Sequence, residues 1–217
     1  MSRIIIFGDS FAQDWDFEWT WTKLLAKKLN AEQVNYAIGG SSIEYSMYQF
    51  TEYLKNNHRD NDKIIFVATE PNRSPIVHPK YDPTSAALHT LTGDKEFKQA
   101  WELFDKQVLK YQDVKFNSWK YTIVASVLNS INNDAIMLTA FERCEDHSTR
   151  DNFIISQTVL LDYSIKNHSK LPNHFEPHNH QAMAHGAEQT FINKKDLFQL
   201  HSLKYNLFQM VNKEQKI

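Results

Sequence analysis

The chain of 217 residues has little of what builds cross-linked or membrane-spanning proteins. Its one cysteine, Cys144, excludes an intramolecular disulfide framework and a cysteine-rich zinc finger. The first apolar run, residues 4–7, is far shorter than a signal-peptide core, and no later run reaches the roughly 18 residues of a membrane span. The 24 Lys and Arg against 26 Asp and Glu give a net charge of −2, which argues against binding to nucleic acid or an anionic membrane. We therefore expect a cytoplasmic protein without nucleic-acid or membrane partners.

Glycine is also scarce. The chain of 217 residues has only 5 glycines, about 2%, whereas glycine makes up roughly 7% of an average protein. Three of them, Gly8, Gly39 and Gly40, follow short apolar runs. We therefore expect these glycines where the backbone needs their conformational freedom. The 41% hydrophobic and 13% aromatic content is sufficient for a packed core and excludes a disordered chain.

Apolar runs alternate with helical patterns along the chain. The runs cover residues 4–7, 33–37, 63–68 and 135–140, and the helical patterns cover 19–29, 43–54, 94–111 and 118–132. Continuous apolar runs are typical of strands buried on both faces of a parallel sheet, so the order predicts a doubly wound α/β domain. We expect one domain over 1–217, with a proline-rich loop insertion at about 70–93, an irregular segment at 171–180 and a helical extension at about 194–217.

Three segments after these predicted strands could supply a nucleophile and its helpers. Ser10 follows the first strand in FGDS, where a nucleophile is well exposed, although Asp9 or Ser10 could instead cap a helix. Gly40 ends NYAIGG, and its backbone N–H could approach a substrate oxygen, although the loop could simply need a positive φ. Asn72 after the third strand offers an amide donor to an oxyanion, or it is a turn residue behind Pro71.

Four histidines, His174, His178, His180 and His185, lie close together near the end of the chain, with Glu176 among them. One of them could be the base that activates a serine. Alternatively, the cluster binds a metal such as zinc, copper or nickel, which imidazole suits. The third alternative is a polar surface loop ahead of the final helices.

Together these segments resemble the SGNH-hydrolase superfamily, the GDSL-like esterases and lipases. The similar segments are IIIFGDSFAQDW with WTKLLAKKLN, NYAIGGSS, TEPNR and QAMAHGAEQTF, in the family's order. Two departures stand out: Glu70 and Arg73 replace the glycine and aspartate of the family's G-x-N-D, and Pro177 lies where an aspartate usually precedes the histidine, here His180. The resemblance implies a three-layer α/β/α fold, a flavodoxin-like parallel sheet of about five strands.

The resemblance also implies a serine esterase that needs no metal or organic cofactor. Ser10 would be the nucleophile and His180 its base, and the Ser10 and Gly40 N–H groups with the Asn72 amide would hold the oxyanion. Glu176 could orient the imidazole, or Ser10 and His180 could act as a dyad; His178 is the alternative base. The expected substrate is a small acyl ester such as an O-acetylated carbohydrate, because no extended apolar loop indicates an acyl-chain tunnel.

Two other functions stay open at this point. One is a catalytically inactive module on the same fold that binds carbohydrate through Trp15, Trp19 and Trp21, although tryptophans more often pack in a core. The other is a metal-dependent hydrolase that uses the histidines of residues 174–185. The sequence predicts no oligomeric state.

Overall fold

A computed structural model describes residues 2–15, 17–71, 73, 99, 103, 119–141, 144, 152–161, 175 and 177–198. The main elements alternate between strands and helices along the chain. They are β1 (Arg3–Phe7), α1 (Trp21–Lys28), β2 (Glu32–Asn35), α2 (Ile43–Asn56), β3 (Lys63–Ala68), α3 (Trp119–Ser130), β4 (Asp134–Thr139), β5 (Phe153–Val159) and α4 (Pro177–Asn193).

The five strands form one parallel sheet in the order β2-β1-β3-β4-β5. In register, Ile5 of β1 lies between Val34 of β2 and Ile64 of β3. The chain moves outward from β1 to β2 and then returns to add β3, β4 and β5 on the other side, so the order reverses between β1 and β3. This order confirms the doubly wound α/β fold, and ligands of such sheets bind at the carboxyl ends of the strands beside the reversal.

The central strands β1 and β3 are buried on both faces because each carries an unbroken apolar run after its first residue. Ile4 and Ile6 belong to a core cluster with residues of α1 and α4. Ile5 and Phe7 belong to a second cluster with residues of α2 and α3. Helices therefore cover both faces, which leaves the strand ends and loops as the place for a site in the described part of the chain.

The predicted elements that fall within the described residues start and end within about two residues of the observed ones, as is usual for element boundaries. Most of the predicted helix over 94–111 and of the proline-rich loop over 70–93 lies outside the described residues. The same holds for the extension at 194–217, of which 194–198 is described and is not helical. No helix in the described part of the chain is long and apolar enough to cross a membrane.

Strand β5 was not among the predicted runs because polar residues interrupt its apolar pattern. Its sequence is FIISQTV, and the Ser156 hydroxyl and the Gln157 N–H both donate to the carboxylate of Asp196, at 3.1 and 2.8 Å. These bonds satisfy polar groups that would otherwise be costly to bury. Because this partner lies 40 residues away along the chain, the local sequence of β5 does not show that its polar residues can be buried.

Helix α4 corrects the prediction of an irregular segment over 171–180, because the helix begins at Pro177. Inside a helix, proline removes a backbone hydrogen bond and usually breaks the helix. At the first position of a helix, however, its fixed φ is favourable and its missing N–H costs nothing. His178 and His180 therefore lie in the first turns of α4 rather than in a loop.

Candidate active site

The loops after β1, β2 and β3 meet at the carboxyl edge of the sheet, beside the reversal of strand order. The Gly8 carbonyl, at the end of β1, accepts from the Ile38 N–H at 3.0 Å and from the Ser41 hydroxyl at 2.8 Å. A Cβ placed on Gly39 would lie 3.8 Å from the Cβ of Ser10. The structure thus brings Ser10 and the Gly39–Gly40 loop, two of the predicted segments, into direct proximity.

Ser10 lies in a tight turn that its neighbours hold from several sides. Gly8 begins the turn at φ +146°, where a side chain would meet Val67 of β3. The Asp9 carbonyl accepts from the N–H groups of Ala12 and Gln13, at 3.0 and 2.9 Å. Ser10 itself is half-buried, whereas Asp9 before it is fully buried.

Three side chains fix the backbone that follows Ser10. The indole N–H of Trp21 donates to the Phe11 carbonyl at 2.7 Å, and the Asn35 amide donates to the Ala12 carbonyl at 2.8 Å. The Gln13 side-chain oxygen accepts from the Gly39 N–H at 2.8 Å. Asn35 and Gln13 therefore link the Ser10 turn to the loop after β2.

The N–H groups of Ser10 and Gly40 differ from that of Gly39. Gly39 donates to Gln13, but no hydrogen bond within the described part of the chain uses the N–H of Ser10 or Gly40. Gly40 has φ +79°, a conformation that glycine adopts without strain. Within the described residues, these two neighbouring loops therefore each leave one backbone donor without an acceptor.

Asn72 lies outside the described residues, but the backbone on both sides of it is described. The Thr69 carbonyl accepts from the Tyr121 hydroxyl at 3.0 Å, and the Pro71 carbonyl accepts from the Lys120 ammonium at 2.7 Å. The Arg73 N–H donates to the Glu70 carbonyl at 3.2 Å. The amino end of α3 and a short turn therefore hold this loop.

The Asp9 carboxylate bonds its own turn and the loop after β3. It accepts from the Phe11 N–H at 3.1 Å and from the Thr69 hydroxyl at 2.7 Å, and the Arg73 guanidinium lies 3.4 Å away. Burial raises the pKa of Asp9, and the positive charge of Arg73 is the largest effect opposing that rise. The carboxylate is thus a structural acceptor whose charge depends on Arg73.

His180 lies in the interface between α4 and α1. Its Nδ1 accepts from the Trp21 N–H at 2.9 Å, and the ring also hydrogen-bonds the Phe175 backbone. Because the Trp21 N–H can only donate, Nδ1 carries a lone pair and the remaining ring N–H faces the carbonyl of Phe175. Within the described residues, no hydrogen bond joins His180 to Ser10.

The surroundings of His180 explain its protonation state. Its side chain is 6% exposed and lies edge-on against the rings of Trp19 and Phe175, with centroids 5.0 and 5.6 Å away. Burial lowers its pKa from 6.5 to about 4, only partly offset by the bond to Phe175. His180 is therefore neutral at physiological pH and supplies an acceptor to the start of α1, where the side chain of the N-cap residue Thr20 makes no capping bond to the helix.

The other members of the histidine cluster differ in how far they are described. His185 lies 3.4 Å from the Glu188 carboxylate on the same helix, and Glu188 also pairs with Lys28 of α1. His174 and Glu176 lie outside the described residues, as does the side chain of His178. Within the described residues, no group of three or more His, Cys, Asp and Glu side chains could hold a metal ion.

The tryptophans of the possible carbohydrate-binding surface separate into two kinds. Trp21 is buried in the core, as the packing alternative expects. Trp19 is 37% exposed and stacks on the 49% exposed Phe17, with centroids 4.7 Å apart and an interplanar angle of 11°. This exposed pair lies in the segment between the Ser10 turn and α1.

The contacts of Gln13, Lys120 and Arg73 are not predicted by the sequence. Gln13 lies three residues after Ser10, and Arg73 lies next to Asn72, so proximity to predicted site residues was a usable signal for both. Lys120 has no such signal, because it reaches the Pro71 carbonyl from an element 49 residues away.

No protein family profile and no curated relative matches this sequence. Among solved structures, the chain is similar to a lipolytic protein of the G-D-S-L family from Veillonella parvula, with TM-score 0.56 and 12% identity over 88% of this chain and 99% of that one. An acetyl xylan esterase aligns with TM-score 0.47 and 16% identity over 84% and 96% of the two chains. A GDSL-like lipase from Parabacteroides merdae aligns with TM-score 0.47 and 13% identity over 92% and 96%. At these identities the similarity concerns the fold, and this chain has the GDSL-like α/β fold.

Proposed function

We propose that this protein is a serine esterase that hydrolyses a small acyl ester, with Ser10 as the nucleophile. The observation that carries the proposal is the half-buried Ser10 beside the Gly39–Gly40 loop, with the N–H groups of Ser10 and Gly40 unused in the described part of the chain. Two such donors beside a nucleophile suit an oxyanion hole, in which each donor is worth roughly 3–4 kcal/mol. The Asn72 amide is our third donor, carried on the turn that Lys120 and Tyr121 hold.

In this mechanism a histidine takes the proton of the Ser10 hydroxyl, and the oxygen attacks the ester carbonyl. The negative charge that forms on the carbonyl oxygen is held by the Ser10 and Gly40 N–H groups and by Asn72. The alcohol leaves with the proton from the imidazolium, which gives an acyl-enzyme. Water, deprotonated by the same histidine, then releases the acid and restores Ser10.

We assign the base to His174 or His178 rather than to His180. For His180 to act on Ser10, its ring would have to leave both the Trp21 N–H and the Phe175 backbone. A histidine whose pKa is lowered to about 4 is also a poor proton acceptor at neutral pH. Glu176, in the same segment, is our candidate for orienting the imidazole, and a dyad without an acid is the alternative.

The substrate class we propose to test first is an O-acetylated carbohydrate. The exposed, stacked rings of Phe17 and Trp19 offer a flat apolar face close in sequence to Ser10. Such a face suits the apolar side of a sugar ring. An acetyl group, unlike a long acyl chain, needs no apolar tunnel next to the nucleophile.

The decisive experiment is covalent labelling of Ser10. The wild-type protein should react with a fluorophosphonate probe and turn over p-nitrophenyl acetate, and Ser10→Ala should lose both activities. Ser126→Ala is the matched control, because Ser126 lies on the exposed side of α3 and bonds only its own helix. Turnover that persists unchanged in Ser10→Ala would contradict the proposal.

The exposed Phe17 and Trp19 pair also favours the second candidate, a carbohydrate-binding module without catalysis. Binding of an acetylated xylo-oligosaccharide that survives Ser10→Ala but not Trp19→Ala, in a wild-type protein without esterase activity, would favour this candidate. The metal-dependent alternative is tested in parallel: activity that is lost with EDTA and returns with zinc would support a metal at residues 174–185.

A further inference from the structure

Arg73 contacts the loops of all three strands that form the candidate site. It follows β3, and its Nη1 lies 3.4 Å from the Asp9 carboxylate, just before Ser10. The same Nη1 lies 3.5 Å from the carbonyl of Ser41, just after Gly40. One guanidinium therefore reaches the residue before the nucleophile and the residue after the oxyanion donor.

The Arg73 side chain is itself held in place. Its guanidinium lies over the ring of Phe141 at 5.0 Å, and its Nε lies 3.8 Å from the Glu70 carboxylate. The side chain is only 19% exposed. A planar cation that is packed on an aromatic ring and bonded along its edge loses little further freedom when it bridges two groups.

Asp9 needs this partner because its remaining donors are neutral. The Phe11 N–H and the Thr69 hydroxyl each donate to the fully buried carboxylate. Arg73 is the cation in contact with Asp9 in the described part of the chain, and Arg73 in turn lies 3.8 Å from the Glu70 carboxylate. Without Arg73 the carboxyl would bind a proton more readily, and a protonated oxygen is a poorer acceptor for the Phe11 N–H that shapes the Ser10 turn.

We propose that Arg73 is a positioning residue that ties the Ser10 turn to the Gly40 loop by bridging the Asp9 carboxylate and the Ser41 carbonyl. This inference rests on the proposed esterase function and adds to it a residue that need not touch the substrate. Binding of an anionic substrate group is the competing role for an arginine here. Two carboxylates, those of Asp9 and Glu70, already balance its charge, which favours the positioning role.

The test is a cycle of variants measured with p-nitrophenyl acetate from pH 5 to 9. Arg73→Met should lower kcat on the order of 10- to 100-fold and leave KM within about twofold, because a displaced nucleophile costs rate rather than binding. Its loss should be largest at low pH, where Asp9 becomes protonated, so the acidic limb of the kcat profile moves to higher pH. Arg73→Lys, which keeps the charge, should restore part of kcat.

Asp9→Asn supplies the second arm of the cycle. The asparagine oxygen can still accept from the Phe11 N–H but has no charge for Arg73 to balance. In the Asp9→Asn background, Arg73→Met should therefore cost less than about threefold in kcat, a non-additive result expected of residues in contact. Arg59→Met is the matched control, an exposed arginine that precedes β3 at the opposite edge of the sheet, and should behave as wild type.

Four outcomes would contradict the inference. The first is the same loss for Arg73→Met in both backgrounds, and the second is a raised KM with unchanged kcat, which would indicate substrate binding. The third is full kcat in Arg73→Met while Ser10→Ala is inactive, which overturns this inference alone. Full turnover in Ser10→Ala would overturn the proposed function and this inference with it. Melting temperatures of all variants show whether each remains folded.

Discussion

The loops after β1, β2 and β3 and the first turns of α4 both contain residue types used in ester hydrolysis, but they are built differently. In the loops, the side chains of Asp9, Gln13 and Asn35 bond backbone groups around Ser10, whereas no hydrogen bond among the described residues uses the N–H groups of Ser10 and Gly40. In α4, the described histidine of the first turns, His180, faces the helix interface and supports α1. A polar group is therefore available for catalysis only when it is not already hydrogen-bonded to another part of the fold.

The largest effect should come from separating the histidines. Alanine at one of His174 and His178 should lower kcat by at least about 10⁴-fold with little change in melting temperature, as expected for loss of a catalytic base. His180→Ala should instead lower the stability by about 2–4 kcal/mol, because it unpairs the Trp21 N–H in a buried interface. Steady-state kinetics and thermal unfolding of the three variants separate these effects.

His185→Ala is the control on the same helix, since its partner Glu188 also pairs with Lys28. The comparison breaks down if folded His180→Ala loses kcat completely while His174→Ala and His178→Ala keep it. His180 would then be the base, after a rearrangement of its ring.

How much of these two regions the sequence predicts depends on how far along the chain each residue lies from its bonding partner. The apolar runs of β1, β3 and β4 are sufficient to predict these strands. Ser10 and Gly40 are candidate site residues because they come shortly after predicted strands. The orientation of His180 depends instead on the docking of α4 against α1, 159 residues apart in the chain. No local pattern distinguishes a histidine that faces a backbone N–H from one that faces a serine.

The pairing of Arg73 with Asp9 likewise depends on residues that are distant in the sequence. Each lies beside a predicted site residue, but their pairing spans 64 positions and exists only because β1 and β3 are neighbours in the sheet. The predicted strand ends are sufficient to place both residues at the same edge. They are not sufficient to show that Arg73 bridges Asp9 and Ser41.

The second effect is the contribution of His180 to the pH dependence of the unfolding free energy. His180 is neutral when folded, with a pKa lowered to about 4 from 6.5, so the unfolded chain binds a proton first as pH falls. Its contribution is fully present above pH 6.5, declines as pH falls toward about 4, and changes no further below that. Over this window we expect a loss of about 3 kcal/mol in unfolding free energy from this one group.

Urea unfolding of wild type and His180→Leu at several pH values between 4 and 7 measures this loss. His180→Leu should be less stable near neutral pH but should depend less on pH across the window. The difference in unfolding free energy between the two proteins cancels the contributions of the other histidines to the pH dependence. Parallel pH dependences in the two proteins would show that His180 is not the buried neutral group described here.

The smallest effect tests the loop side of the comparison. Gln13→Ala removes the acceptor of the Gly39 N–H, and we expect a loss of about 1 kcal/mol in stability, the usual worth of one neutral hydrogen bond. It should also slow turnover a few-fold, because a freed Gly39 N–H lets the Gly40 donor move relative to Ser10. Gln13→Glu keeps an acceptor oxygen and should retain both stability and rate better than alanine does. Gln49→Ala, which removes a bond to Tyr45 within α2, is the control; if it slows turnover as much as Gln13→Ala, the link between the two loops has no special role.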